Sequence, residues 1–142
     1  MNAQTSTTTT TAHAIRVLNE LDHVRIGKLL DPSSSAHEAV QALLDNADLV
    51  PPAEMAPDVV TMRSRVRVSD LDGGGSRELS VVYPAEADAT RGEVSVLSPV
   101  GTALLGLKVG EVGRWLLPDG REAALRVDAL LFQPEASGEH LR

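Results

Sequence analysis

The feature that most restricts this 142-residue chain is a change of hydrophobic period across a cluster of prolines. Before the cluster, Ala36, Val40, Leu43, Leu44 and Ala47 fall at i, i+4, i+7, i+8 and i+11, the apolar stripe of an amphipathic helix. Pro51, Pro52 and Pro57 lack the amide donor and fix φ, so no helix continues through them. Beyond them the period drops to two, with Val66 and Val68 alternating with Arg65, Arg67 and Ser69 as in a strand with one buried face. A helical unit followed by a sheet unit is the arrangement these periods require, an α+β fold.

Within the helical unit, Ile26, Leu29 and Leu30 share a face of a first helix over 21–30, with Asp22 available as its N-cap. Gly27 weakens that helix by about 1 kcal/mol relative to Ala. Asp31-Pro32-Ser33-Ser34-Ser35 breaks the chain, because proline and short polar side chains favour turns. Ser35 and Glu38 have capping-box spacing and open the second helix. Two short helices with a brief connection predict an antiparallel, coiled-coil-like hairpin over 15–48, followed by a linker over 49–58. Residues 1–14 carry a threonine run without periodicity, which predicts a disordered tail.

The sheet unit, 59–136, reads as an antiparallel sheet of about five strands with one short helix. Asp70-Leu71-Asp72-Gly73-Gly74-Gly75 supplies hairpin-turn chemistry between the Val66–Val68 strand and a returning strand with Leu79, Val81 and Tyr83. Val94–Leu97 forms a further strand, and Ser98-Pro99 starts a helix that Gly106 stops. Asp119-Gly120 predicts a two-residue hairpin loop after Trp115–Leu117, and Ala123, Leu125, Val127 and Ala129 alternate on the core face of the last strand.

Composition removes several function classes. The chain has no Cys, so disulfides, thiolate metal sites and a Cys nucleophile are excluded, and a reducing cytoplasm fits. Twenty acidic against 13 basic residues give a net charge of −7, a field that repels phosphate backbones and makes direct DNA binding unlikely. Apolar runs such as Ala129–Phe132 fall far short of the roughly 20 residues that span a bilayer, so no membrane association is expected. His13, His23, His37 and His140 are scattered without ligand spacing, which gives no metal site, and His37 is expected to face solvent. Gly73-Gly74-Gly75 lacks the following Lys-Ser/Thr of a phosphate-binding loop. No cofactor is called for.

The block Gly92-Glu93-Val94-Ser95-Val96-Leu97-Ser98-Pro99-Val100-Gly101-Thr102-Ala103-Leu104-Leu105-Gly106-Leu107-Lys108-Val109-Gly110-Glu111 closely resembles the C-terminal core of the Rnk and Gre families. Pro57–Ser64, Val81-Val82-Tyr83-Pro84, Leu117-Pro118-Asp119-Gly120-Arg121 and Phe132-Gln133-Pro134-Glu135 look specifically like the Rnk family, the regulators of nucleoside diphosphate kinase. The resemblance covers roughly residues 21–138. It implies an FKBP-like C-terminal domain behind a short coiled-coil hairpin, in a bacterial regulator that binds RNA polymerase near its secondary channel and is not itself an enzyme. The name of the Rnk family implies a link to nucleoside diphosphate kinase, through its level more readily than through contact.

Gre factors, by the same resemblance, carry acidic residues at the tip of a long coiled coil, where they help hold a catalytic metal in the polymerase. Here each predicted helix offers only about 10 to 12 residues, or roughly 15 to 18 Å. Asp31 and Glu38 are the only counterparts of that tip; as site residues they would be oxygen ligands for a polymerase-bound Mg²⁺, whereas turn and capping roles account for both. Arg63, Arg65 and Arg67, read as one strand face, are candidates for docking an acidic patch of polymerase. Ser98, Pro99, Gly101, Thr102 and Lys108 are docking candidates by resemblance. An FKBP-like fold raises prolyl isomerase activity, but three aromatic residues in the whole chain do not line its pocket, and Trp115 reads as core. Two alternatives remain open: a Gre-like factor that stimulates transcript cleavage, and a direct regulator of nucleoside diphosphate kinase.

Overall fold

The computed structural model describes residues 15–138; the tail expected over 1–14 lies outside the described residues. The chain enters on a short strand, β1 (Val17–Asn19), and passes directly into α1 (Glu20–Gly27). The cap differs from expectation: the Asn19 side chain accepts the Asp22 N–H at 2.7 Å, so Asn19 is the N-cap and Asp22 lies inside the first turn.

The second helix, α2 (His37–Asn46), begins later than the capping box requires. Ser34 N–H donates to Asp31 O and His37 N–H to Ser34 O, so successive turns carry the chain into the helix. Ala36 occupies the N-cap without a side-chain bond, and Ser34 Oγ accepts the Ala36 N–H at 3.2 Å. Ser35 and Glu38 therefore form no box. The stripe that follows is buried as predicted, with Val40, Leu43 and Leu44 inside.

After α2 comes a strand that periodicity does not reveal, β2 (Asp48–Val50), in the stretch expected to be linker. It pairs in parallel with β1, Val17 opposite Asp48 and Asn19 opposite Val50. A 3-10 turn, Pro52–Glu54, leads on to the sheet unit.

Five strands form the main sheet: β3 (Arg65–Asp70), β4 (Gly75–Val82), β5 (Glu93–Ser95), β6 (Val112–Leu116) and β7 (Glu122–Phe132), in the spatial order β5-β4-β3-β7-β6. Three pairings are antiparallel, but β5 runs parallel to β4, which corrects the all-antiparallel expectation. Two 3-10 turns, Pro84–Glu86 and Ala89–Arg91, return the chain so that β5 starts beside Ser80 rather than beside the end of β4. The β6–β7 loop is also one residue longer than expected, because Leu117 N–H donates to Arg121 O and leaves Pro118-Asp119-Gly120 in the loop.

Against β3, the partners of Val68, Arg67, Val66 and Arg65 are Val127, Ala129, Leu130 and Phe132, so the last strand skips Asp128 and Leu131. Each bulge moves the side-chain alternation by one residue. Ala129 thus sits opposite Arg67, away from the core, and Leu130 opposite Val66 packs against it.

The remaining helix, α3 (Pro99–Leu104), forms as predicted: Ser98 Oγ accepts the Gly101 N–H at 3.1 Å and Pro99 takes the first turn. α3 lies tight on the sheet. A Cβ at Gly101 would fall 2.1 Å from Ser95 O and one at Gly113 would fall 2.5 Å from Ala103 O, so both contacts demand glycine. One buried apolar cluster joins Leu18, Ile26, Val40 and Leu44 of the helical unit to Val66, Val81, Leu104, Leu107 and Val127 of the sheet unit. Among the described residues, no helix is long and apolar enough to cross a membrane.

Candidate functional site

Three surfaces gather the residues singled out above, and a buried cluster adds others. The first surface is the connection between α1 and α2. Asp31 is exposed, and its Oδ1 accepts the Ser33 N–H at 3.0 Å and the Ser33 hydroxyl at 2.8 Å. These bonds hold its carboxyl below the ordinary range. Glu38 lies one turn into α2, exposed and without the capping role that its spacing suggested. The connection therefore carries one carboxylate locked in a turn and a second, on the helix, facing water.

The arginines do not form the single stripe that alternation predicts. Arg63 precedes β3 at φ 67°, the one positive value of a non-glycine residue among those described. The Thr61–Ser64 turn holds it there: Thr61 N–H donates to Ser64 Oγ at 2.9 Å and Arg63 N–H to Val81 O at 2.7 Å. Its guanidinium donates from Nε and Nη2 to Glu86 and lies 5.3 Å from the centre of the Tyr83 ring. Arg65 and Arg67 stand on β3 as expected, but both lie within 4 Å of the Glu78 carboxylate, at 3.6 and 3.5 Å.

Around α3, the Ser98 hydroxyl donates to Ser95 O at 2.6 Å and the Thr102 hydroxyl to Val96 O at 2.7 Å. Both hydroxyls are thus engaged in fixing the helix, whereas Pro99 and Lys108 are exposed. Beside them opens a groove of about 1170 Å³, whose lining includes Leu43, Leu97, Pro99, Thr102, Trp115 and Leu116. Trp115 packs on the core on one side and lines this groove on the other, which a reading of it as core alone misses.

The buried cluster centres on Asp22. Its Oδ2 accepts from Asn19 Nδ2 at 3.1 Å and from Met62 N–H at 3.3 Å, and its Oδ1 from the Tyr83 hydroxyl at 3.3 Å. Asn19 Nδ2 also donates to Glu135, and the Thr61 hydroxyl donates to the same carboxylate at 2.7 Å. Burial and, to a smaller extent, the Glu135 charge together push the Asp22 carboxyl up to about 6, against the lowering effect of the Met62 bond. Burial likewise raises the Tyr83 hydroxyl. Sequence reading assigns Asp22 to a helix cap, since nothing local announces that residues 61–62, Tyr83 and Glu135 converge on it.

His37, expected to face solvent, is half-buried, and its Nδ1 is buried without a hydrogen-bond partner. His23 Nε2 lies 3.0 Å from Leu44 O, tying α1 to α2. Among the described residues, no group of three or more His, Cys, Asp or Glu stands close enough to hold a metal ion.

Residues 55–130 match the family described as the C-terminal part of the transcription elongation factors GreA and GreB. The regulator of nucleoside diphosphate kinase of Escherichia coli (strain K12) is 43% identical over 129 residues, which is 88% of this chain and 95% of that protein. GreA of Clostridium botulinum (strain Eklund 17B / Type B) is 43% identical over 77 residues, 54% of this chain and 48% of that factor. Among solved structures, the prokaryotic elongation factor GreA/GreB of Nitrosomonas europaea is similar with a TM-score of 0.69 and 33% identity, covering 84% of this chain and 100% of that one.

Proposed function

Because this chain belongs to the GreA/GreB C-terminal family, within which it is Rnk-like, we propose that it is a transcription regulator that binds RNA polymerase near the secondary channel without stimulating transcript cleavage. The coarser part, a Gre-like and Rnk-like transcription-related regulator, rests on the family match and on the similarity to the E. coli regulator. The finer part rests on reach. With 8 and 10 residues, α1 and α2 extend about 12 and 15 Å at about 1.5 Å per residue. A pair of that length presents Asp31 and Glu38 close to the sheet unit rather than at the end of a long arm.

In this reading the helices are a short form of the Gre coiled-coil hairpin, and the sheet unit is the FKBP-like docking body. Exposed Arg67, Pro99 and Lys108 meet the polymerase surface, while Ser98, Gly101 and Thr102 fix the helix that presents Pro99. Arg63 and Arg65 are further docking candidates, Arg63 in contact with Glu86 and Arg65 sharing the Glu78 carboxylate with Arg67. A cytoplasmic setting follows from the polymerase partner. The link to nucleoside diphosphate kinase comes with the name of the E. coli relative, and an effect on kinase level fits a transcription regulator better than a direct complex does.

A stalled elongation complex tests the finer claim. Addition of the full chain is expected to leave the nascent transcript uncut. Cleavage that disappears with Asp31→Ala or Glu38→Ala would overturn it and restore the elongation-factor alternative. A stable complex with the purified kinase would favour the direct regulator.

A further inference from the structure

Arg63 holds a left-handed backbone at φ 67°, the one residue other than glycine to do so among those described. It stands where the pairing of β3 with β4 begins: Arg63 N–H donates to Val81 O at 2.7 Å, and two residues on Arg65 lies opposite Ser80. Glycine is the usual occupant of a left-handed position beside a strand pair, because it has no Cβ to crowd the backbone. The left-handed turn also re-aims the side chain. Instead of joining Arg65 and Arg67 beside Glu78, Arg63 lies over the Tyr83 ring and donates from Nε and Nη2 to Glu86, the latter at 2.6 Å.

Stability does not account for an arginine here. The Arg63 and Glu86 side chains are each 39% exposed. At such exposure an ion pair and a cation–π contact together do little more than offset the cost of a left-handed backbone in a residue with a Cβ. A strained position that the fold does not require points to binding. The surroundings hold the guanidinium in one orientation: the Tyr83 hydroxyl donates to buried Asp22 and hydrogen-bonds Arg25 of α1, so the ring beneath Arg63 is fixed. Arg25 and Arg63 face the carboxylates of Asp22, Glu86 and Glu135, so no surplus of positive charge attracts a partner. Selection lies in the fork of the guanidinium, whose Nε and Nη2 edge already carries a carboxylate.

We propose that Glu86 is an internal stand-in for a partner's carboxylate, and that Arg63 docks on an aspartate or glutamate side chain of RNA polymerase by exchanging Glu86 for it. Glu86 closes the exposed 3-10 turn Pro84–Glu86, so its carboxylate can return to water when displaced. The inference rests on the polymerase reading and names the chemistry of one contact within it.

Biolayer interferometry of the full chain on core RNA polymerase, run with Arg63→Gly and Glu86→Gln at two salt concentrations, tests the exchange. Arg63→Gly, which suits the left-handed backbone, is expected to keep the Tm, to weaken binding about tenfold and to flatten its salt dependence. Glu86→Gln is expected to tighten binding severalfold, because the guanidinium loses its internal competitor. The opposite signs separate docking from a structural pair: if the contact only holds the Pro84–Glu86 turn, both substitutions act in the same direction. Binding that Arg63→Gly leaves unchanged, or that Glu86→Gln fails to tighten, overturns the proposal while the polymerase reading stands. Absence of binding by the native chain overturns both.

Discussion

Asp22 of the helical unit accepts from Met62 N–H and the Tyr83 hydroxyl, and so joins α1 to the sheet unit. Its carboxyl, ordinarily near 3.8, is pushed up to about 6 by burial. A folded value above the unfolded one means that the folded chain binds the proton more tightly, so the associated stability is complete below pH 4 and is lost as pH rises through 6. The part of the stability tied to Asp22 should therefore fall by on the order of 3 kcal/mol between pH 4 and pH 7. Denaturant titrations of the native chain and of Asp22→Asn measure this: the substitution is expected to flatten the slope between pH 5 and 7, and an unchanged slope would show that the cluster titrates elsewhere. Gly101 sets a limit of another kind. Gly101→Ala places a methyl where Ser95 O stands, 2.1 Å from the ideal Cβ position, and is expected to cost about 3 kcal/mol through displacement of α3. Thermal unfolding would show it as a lowered Tm.

Among the elements, β7 makes the most specific prediction. Its two bulges place Leu130 on the core and Ala129 on the outer face, the reverse of simple alternation from Val127. Leu130→Ala should then destabilise by about 2 kcal/mol or more, while Ala129→Leu, on the outer face, should change stability by about 0.5 kcal/mol or less. Equal costs at the two positions would contradict the register. The same strand shows where the sequence stops being informative. The Ser98-Pro99 start of α3, the apolar stripe of α2 and the Asp70–Gly75 hairpin are local signals, set by capping, periodicity and turn chemistry, and all three stand in the structure. The bulges of β7, the parallel pairing of β5 and the three-residue strands β1 and β2 depend on partners distant in the chain, so no local window contains them. Site residues divide in the same way. Arg65 and Arg67 fall on β3 as alternation requires, whereas the left-handed backbone of Arg63, the burial of Asp22 and the missing Ser35–Glu38 box arise from tertiary contacts or from turns that compete with the local pattern.

For the whole molecule, the central fact is how closely the short helices are bound to the sheet. One apolar cluster spans both units. Polar contacts reinforce it: Gln133 donates to the Ala56 and Val59 carbonyls, and Glu135 accepts from Asn19 and Thr61, so the segment after β7 ties the linker and the start of α1 to the sheet. Helices held in this way form a compact projection on the sheet unit, and the proposal of a regulator that binds polymerase without stimulating cleavage builds on that. Binding of the full chain to core RNA polymerase, followed by biolayer interferometry with a Gre factor as competitor, is the decisive measurement for the proposed polymerase contact. Saturable binding that the Gre factor displaces is expected. Absence of binding at micromolar concentrations, or binding that the Gre factor leaves untouched, would contradict it.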